Sequence, residues 1–364
     1  MNWVLIFTYL PYAFFVQTMA TFVLPLRLKV RAQAIWSMVL LLCFSKFLCF
    51  AAFGGHAFNP DLPAAVIWVW DWLYSGAMIL SALGLLTVLF RFRAKVWLLP
   101  VAAWGLAAWG LYNGVRTPGV REVELKFMGL PSALDGYRIA QLSDLHCSSA
   151  ARRWRTEAVV ERVNALKPDL ICLTGDLADG KASRIARHLE PIKALTAKDG
   201  VFACTGNHEY YADYLGWMTH FYAKAKNIRF LANTCVFPHS GLVVAGIPDI
   251  AGFQRGLDAP PDARGAFAAA TNGEFRVLLQ HQPKFARENV REVGVNLQLS
   301  GHVHGGIAPG FRQFIERFNG GFSHGTYSIG SSRLYVSPGC GQWAGFPMRF
   351  FNDSEITLLT LRRK

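Results

Sequence analysis

Asp144 and His146 stand two apart at the end of the alternating apolar run Tyr137–Leu142. A carboxylate oxygen and an imidazole nitrogen at that spacing, just past a strand, make a compact start to a metal site. Four more polar groups each follow an apolar run: Gly175-Asp176 with Asp179, Gly206-Asn207-His208-Glu209, Gln280-His281 and Gly301-His302-Val303-His304. Taken singly, an Asp or His at a strand end is ordinarily a helix cap or a satisfied hydrogen-bonding group. Five such groups in series describe a site assembled from the ends of several strands. The donors are Asp and Asn oxygens and His nitrogens, with no thiolate clearly included, a set that suits Mn, Fe, Zn or Co. There are more candidate ligands than one ion takes. They suit two divalent ions about 3.5–4 Å apart that share a carboxylate and clamp the attacking and leaving oxygens of a phosphoryl transfer.

The elements that must position these groups alternate. Val120–Phe127 and Tyr137–Leu142 read as strands. Thr156–Leu166 places Val159, Val160, Val163 and Leu166 on one helical face. Leu170–Leu173 is a strand, Ser183–Leu195 a helix kinked at Pro191, Val201–Cys204 a strand and Tyr214–Lys226 a helix. Further strands fall at Ile228–Ala232, Leu242–Ala245, Phe275–Leu279, Val295–Leu299, Leu334–Val336 and Ile356–Leu361. The alternation predicts an α/β domain of two stacked mixed β-sheets flanked by helices. In open α/β folds the ligand crevice lies beyond the carboxyl ends of strands, where every polar group falls.

Ahead of this domain lies a stretch under different solvent rules. Residues 1–113 hold seven Lys or Arg and two Asp or Glu. Four segments, Trp3–Leu26, Ala34–Phe53, Ala64–Phe90 and Val96–Tyr112, are apolar on all sides and near the ~20 residues a bilayer crossing needs. They predict a four-helix transmembrane region over 1–113, a linker at 114–119 and a globular domain over 120–364. The first connection carries Arg27, Lys29 and Arg31, the third Arg91, Arg93 and Lys95, and the second, Gly54–Pro63, no Lys or Arg. By the positive-inside rule the first and third face the cytoplasm, and the globular domain faces the periplasm or exterior of a bacterial cytoplasmic membrane. Lys46 and Asp71 interrupt the spans, and the cost of lone intramembrane charges predicts that they pair. A polar entry for a lipid headgroup is the functional alternative.

At the level of whole motifs, SDLH, GDLAD, GNHE, QHQP and GHVHGG resemble the calcineurin-like metallophosphoesterase superfamily, and GNHEYY, HQP and GHVHGG its bacterial membrane-associated members. The resemblance covers residues 120–362. It implies that Asp144, His146, Asp176 and His304 bind one ion and that Asp176, Asn207, His281 and His302 bind the other. Asp176 is then the bridge, and a water or hydroxide between the ions the nucleophile. His208 acts at the leaving oxygen and Asp179 orients it. One departure stands out. Protein phosphatases of the superfamily carry a phosphate-gripping Arg directly after the second Asp of GDxxD, and here that residue is Gly180, which argues against a phosphoprotein substrate.

The formal net charge is +13, of which the 30 Lys or Arg against 22 Asp or Glu beyond residue 113 contribute +8. That balance favours anionic substrates or an anionic membrane surface. No Lys/Arg run interleaved with aromatics stands out, so nucleic acid is not an expected partner. Arg152, Arg153 and Arg155 follow the first metal loop and are placed to meet phosphate or lipid heads, or else to start a solvated helix. Glu209, Tyr210 and Tyr211 read as solvent-facing or packing residues, with lining of the crevice as the functional alternative. The aromatic, Gly-rich stretch Ile307–Phe350 reads as apolar loops able to enter an interface or receive an acyl chain. Seven cysteines with no CxxC read as small buried hydrophobes. The expected partners are the bilayer and a phosphorylated small molecule or lipid. The expected activity is hydrolysis of a phosphodiester, phosphomonoester or pyrophosphate. A non-catalytic scaffold or receptor, and a sensor or transporter governed by the domain, are the competing classes.

Overall fold

The computed structural model describes residues 3–91, 96–306, 312–345 and 347–364. Arg93, Lys95, Ile307, Gly310, Phe311 and Phe346 lie outside the described residues. Contacts divide the chain into two units, Met1–Gly114 with Ala344–Met348, and Val115–Trp343 with Arg349–Lys364.

The second unit holds twelve described strands in two six-stranded sheets. They are β1 Gly119–Phe127, β2 Arg138–Leu142, β3 Leu170–Thr174, β4 Val201–Cys204, β5 Ile228–Phe230, β6 Thr234–His239, β7 Leu242–Gly246, β8 Phe275–Leu279, β9 Leu297–Ser300, β10 Gly325–Ile329, β11 Ser332–Val336 and β12 Glu355–Arg363. One sheet has the order β1-β12-β2-β3-β4-β5, the other β10-β11-β9-β8-β7-β6. Both are mixed. Strands β2 to β5 run parallel, and so do β11, β9, β8 and β7. The antiparallel pairs are β12 with β2, β10 with β11, and β6 with β7. The first and last strands pair parallel.

Period-two alternation builds the layers. In β2 and β3, Ile139, Leu170 and Cys172 point into the core between the sheets, while Ala140, Leu142, Ile171 and Leu173 pack under the helices. Both faces are covered, so the strands are apolar throughout. The sulfurs of Cys172 and Cys204 act as small core hydrophobes, and all seven thiols are free. Two strands were not legible in the sequence. β6 carries Pro238 and β10 has no fully buried residue, and both are edge strands where burial is only partial. The segment read as one helix over 214–226 is broken into Tyr214–Gly216, a π-turn Trp217–Phe221 and a 3-10 turn Tyr222–Lys224. Pro191 ends the helix Ala182–Leu189 and opens a 3-10 turn, because its ring cannot continue the helical hydrogen bonds.

The linker is pinned. Arg155 is buried and donates to the carbonyls of Val115, Arg116 and Cys340, and Arg162 donates to those of Thr117 and Pro118. Arg155 is therefore committed to the backbone and is not a phosphate ligand. Arg152 bonds the Ser149 carbonyl, and Arg153 pairs with Glu157 at 2.7 Å on an exposed surface.

In the first unit, helix Trp3–Thr18 continues through the π-turn Met19–Val23 into Leu24–Leu26, and helix Ala64–Leu89 runs unbroken for 26 residues. Among the described residues, two helices are long and apolar enough to cross a membrane, and three if Val30–Phe44 and Lys46–Gly54, bent by 60°, count as one. Val96–Tyr112 was expected as a fourth span; the α-helix there, Leu99–Val115, has 17 residues and falls short. Lys46 and Asp71 do pair, at 2.7 Å with both side chains buried. Lys46 Nζ also donates to the Ala344 carbonyl and faces the rings of Phe47, Phe50 and Tyr74. The pair is structural in form: each charge faces the other, and Lys46 is held by a backbone carbonyl as well.

Candidate metal centre

The loops leaving β2, β3, β4, β8 and β9 converge at one end of the two sheets. Gln141 stitches that end by donating to Thr174 Oγ1 and to the Ser300 carbonyl, and the Asp144 amide donates to the Gly175 carbonyl. Gly206 and Gly301 lie where any Cβ would collide with the Asp176 and Asp144 carboxylates respectively. Five of the expected ligands hold left-handed backbone: Asp144, His146, Asp176, His302 and His304 have φ of 51°, 44°, 53°, 74° and 46°. Such conformations cost roughly 1–3 kcal/mol each and persist only where the surroundings over-determine them.

The expected ligands fall into two overlapping groups. In one, His304 Nε2 is 3.0 Å from His146 Nε2 and 3.5 Å from Asp144 Oδ1. In the other, Asp176, His281 and His302 converge, with His281 Nε2 3.1 Å from Asp176 Oδ2. Asp176 Oδ2 is also 3.9 Å from His146 Nε2, which places its carboxylate between the groups. Second partners fix the ligands: Asp144 accepts from Ser143 Oγ and the His302 amide, and His281 Nδ1 donates to the Thr174 carbonyl at 2.7 Å. That last bond leaves His281 Nε2 as the nitrogen presented to the site.

Whether metal ions suit these residues is answered by atoms that have no other partner. Asn207 Oδ1 and His281 Nε2 are buried without a hydrogen-bond partner among the described residues, and His281 Nε2 faces the Asp176 carboxylate as an ion pair at 3.1 Å. Buried unsatisfied polar atoms are costly, and both atoms are ligand types for a divalent cation. Electrostatics agree. Burial opposes charge on Asp176, yet His281 and His208 hold its carboxyl well below the usual range. Burial likewise opposes charge on His281, and Asp176 overrides it, pushing its imidazole well up. The carboxylates that favour a proton on His281 equally favour a metal ion there. His302 is pushed down to about 3 by burial and by charged His281, which keeps it neutral, as a ligand must be.

His208 and Asp179 form a separate unit. Asp179 Oδ1 lies 2.7 Å from His208 Nδ1 and 2.9 Å from His146 Nδ1, so one carboxylate orients both rings. Burial works against charge on His208, but Asp179 and Asp176 raise it to about 9. Its ring is packed between Tyr211 and Trp343, at 5.1 and 5.8 Å between centroids.

Glu209, read as a solvent-facing or packing residue, is buried and accepts from the amides of Asp176, Leu177 and Gly206 at 3.0, 2.7 and 2.7 Å. The signal was present: a Glu three residues into a helix entry is a capping-box position. Tyr210 is a buried packing residue whose hydroxyl donates to Asp258, whereas Tyr211 is 44 % exposed and does line the crevice. Arg349 was missed altogether. It is buried, tied to the carbonyls of Pro338 and Gly341, and its Nη2 is 3.3 Å from His304 Nδ1. No local pattern marks it. Gly180, where a phosphate-binding Arg was absent, has φ of 97°, a conformation an Arg would hold only under strain. The aromatic stretch is divided: Phe322 is buried, Phe314 and Phe318 are exposed, and Trp343 is at the crevice.

Residues 137–306 match the model of the calcineurin-like phosphoesterase family. A zebrafish transmembrane protein with metallophosphoesterase domain is 32% identical over 75% of this chain and 63% of its own length. An uncharacterised metallophosphoesterase of Campylobacter jejuni is 32% identical over 69% of this chain and 65% of its own. A third relative, the uncharacterised metallophosphoesterase YkuE of Bacillus subtilis, is 30% identical over 72% of this chain and 93% of its own. The chain thus spans under two thirds of the first two relatives and nearly all of the third. With the motif residues gathered at one centre and these matches over the same domain, the chain belongs to the calcineurin-like metallophosphoesterase family.

Proposed function

We propose that the chain is a membrane-anchored phosphoesterase dependent on two divalent metal ions. It hydrolyses a phosphodiester, phosphomonoester or pyrophosphate of an envelope lipid or lipid-linked precursor. The observation that carries the reading is the pair of buried, unpartnered ligand atoms, Asn207 Oδ1 and His281 Nε2, beside the central Asp176 carboxylate. Asp144, His146, Asp176 and His304 are the ligands of one ion, and Asp176, Asn207, His281 and His302 those of the other. Bound there, Mn, Fe, Zn or Co would polarise the phosphoryl oxygens and acidify the attacking water. His208 carries the proton for the leaving oxygen, and Asp179, 2.7 Å from its Nδ1, holds the ring's Nε2 toward the substrate. The apolar helices support a lipid substrate, since they would anchor the chain in a bilayer.

Lys and Arg in the first and third connections, with none in the second, support a four-crossing topology whose catalytic domain lies outside a bacterial cytoplasmic membrane. Full-length protein with Mn is expected to cleave bis-p-nitrophenyl phosphate, and Asp176→Asn to abolish this while a lipid phosphoester accumulates in cells. Failure of wild type on that substrate and on every lipid phosphoester tried rejects the reading. A reporter after Lys364 that is active only in the cytoplasm rejects the topology.

A further inference from the structure

Arg255 closes the short helix Ile250–Gln254 and stands exposed. Its guanidinium has no hydrogen bond or ion pair among the described residues. It is stacked on Tyr211, 4.7 Å from the ring centroid, and the other neighbour of that ring is His208 at 5.1 Å. An unpartnered guanidinium therefore stands one aromatic ring away from the residue assigned to the leaving oxygen. The stacking limits its freedom without consuming its donors, which stay available for a planar two-point contact with an oxyanion. Tyr211 is itself braced, because its neighbour Tyr210 is buried and bonded to Thr205 and Asp258.

We infer that Arg255, held by Tyr211, binds a second phosphoryl group on the leaving side of the substrate, so that the preferred substrate is a pyrophosphate diester. The inference rests on the phosphoesterase reading above and deepens it. Gly180 stands where protein phosphatases of the superfamily carry a phosphate-gripping Arg, and Arg255 offers a cation further out. That position does not help a substrate whose single phosphate sits on the ions. It favours one whose leaving group carries its own negative charge, and water is excluded from one face of the contact by the tyrosine ring.

The test compares two soluble probes on the full-length protein with Mn: ADP-ribose, a pyrophosphate diester, and bis-p-nitrophenyl phosphate, whose leaving group has no phosphate. Arg255→Met keeps a side chain over Tyr211 and removes the charge. It is expected to raise KM for ADP-ribose about tenfold, the scale of one charge-assisted hydrogen bond, with kcat and the bis-p-nitrophenyl phosphate kinetics within about twofold. Arg255→Lys is expected to recover part of the loss. Equal losses on both probes, or no change on ADP-ribose, overturn the inference. Wild type that cleaves bis-p-nitrophenyl phosphate but not ADP-ribose overturns it too, while leaving the phosphoesterase reading intact. Wild type that cleaves neither overturns both.

Discussion

His208 shows how one side chain acquires a role from its surroundings. A surface histidine titrates near neutrality, but this one shares the Asp179 carboxylate with His146 and lies close to Asp176, so it keeps its proton up to about 9. A group that stays charged through neutral pH is suited to stabilising and protonating a leaving oxygen. Replacement by Asn removes the proton but touches no ligand atom. His208→Asn is expected to lower kcat by about 10²–10³ while titration still finds two Mn per chain. A fall in metal content matching the fall in rate would make His208 a ligand instead.

At the level of elements, the centre depends on loops held in unfavourable backbone. Glu209 does much of that holding. One carboxylate, set at the entry of helix Asn207–Ala212, accepts three amides from the β3 and β4 loops and so fixes Asp176 and Gly206 relative to each other. Burial and the nearby Asp176 push its carboxyl up to about 6, so it is a costly group to keep ionised and is retained for those three bonds. Glu209→Gln offers one acceptor where two are used and leaves a buried amide unpaired, worth roughly 1–3 kcal/mol. The expected outcome is a lower Tm and weaker binding of the second Mn, read by thermal melting with and without metal. A lower Tm with unchanged Mn affinity would confine Glu209 to general packing.

For the whole molecule, the apolar unit and the sheet unit pose separate stability problems. Lys46 and Asp71 are a charge pair with both members buried inside the apolar unit. Removing one member strands the other, at a cost of roughly 3–5 kcal/mol, whereas replacing both by apolar groups is often neutral. Lys46→Met and Asp71→Leu singly are therefore expected to lower the Tm of detergent-solubilised protein clearly, and the double variant to recover most of it. Phosphoesterase turnover is expected to survive in the double variant. Loss of turnover with recovered stability would favour the sensor or transporter class.

Much of this protein is legible in its amino-acid order because the relevant signals are local. Strand ends followed by Asp, Asn and His within a few residues mark the expected ligands. Alternation marks the buried strands, and long apolar runs mark the helices of the first unit. The edge strands β6 and β10 are silent because one side of each pairs with nothing and burial there is partial. The shortfall of the last apolar helix is silent too, since composition does not fix where a helix starts. What only the tertiary structure decides is which distant groups meet. Arg155 serves backbone carbonyls rather than phosphate, Arg349 reaches His304 across 45 positions, and Arg255 stacks on Tyr211 one ring from His208. The sequence by itself determined the kind of chemistry, because ligand type and spacing are properties of residues. Partnership, and with it the role of each arginine, was decided by folding, because a charge takes its function from whatever the fold brings within hydrogen-bonding distance.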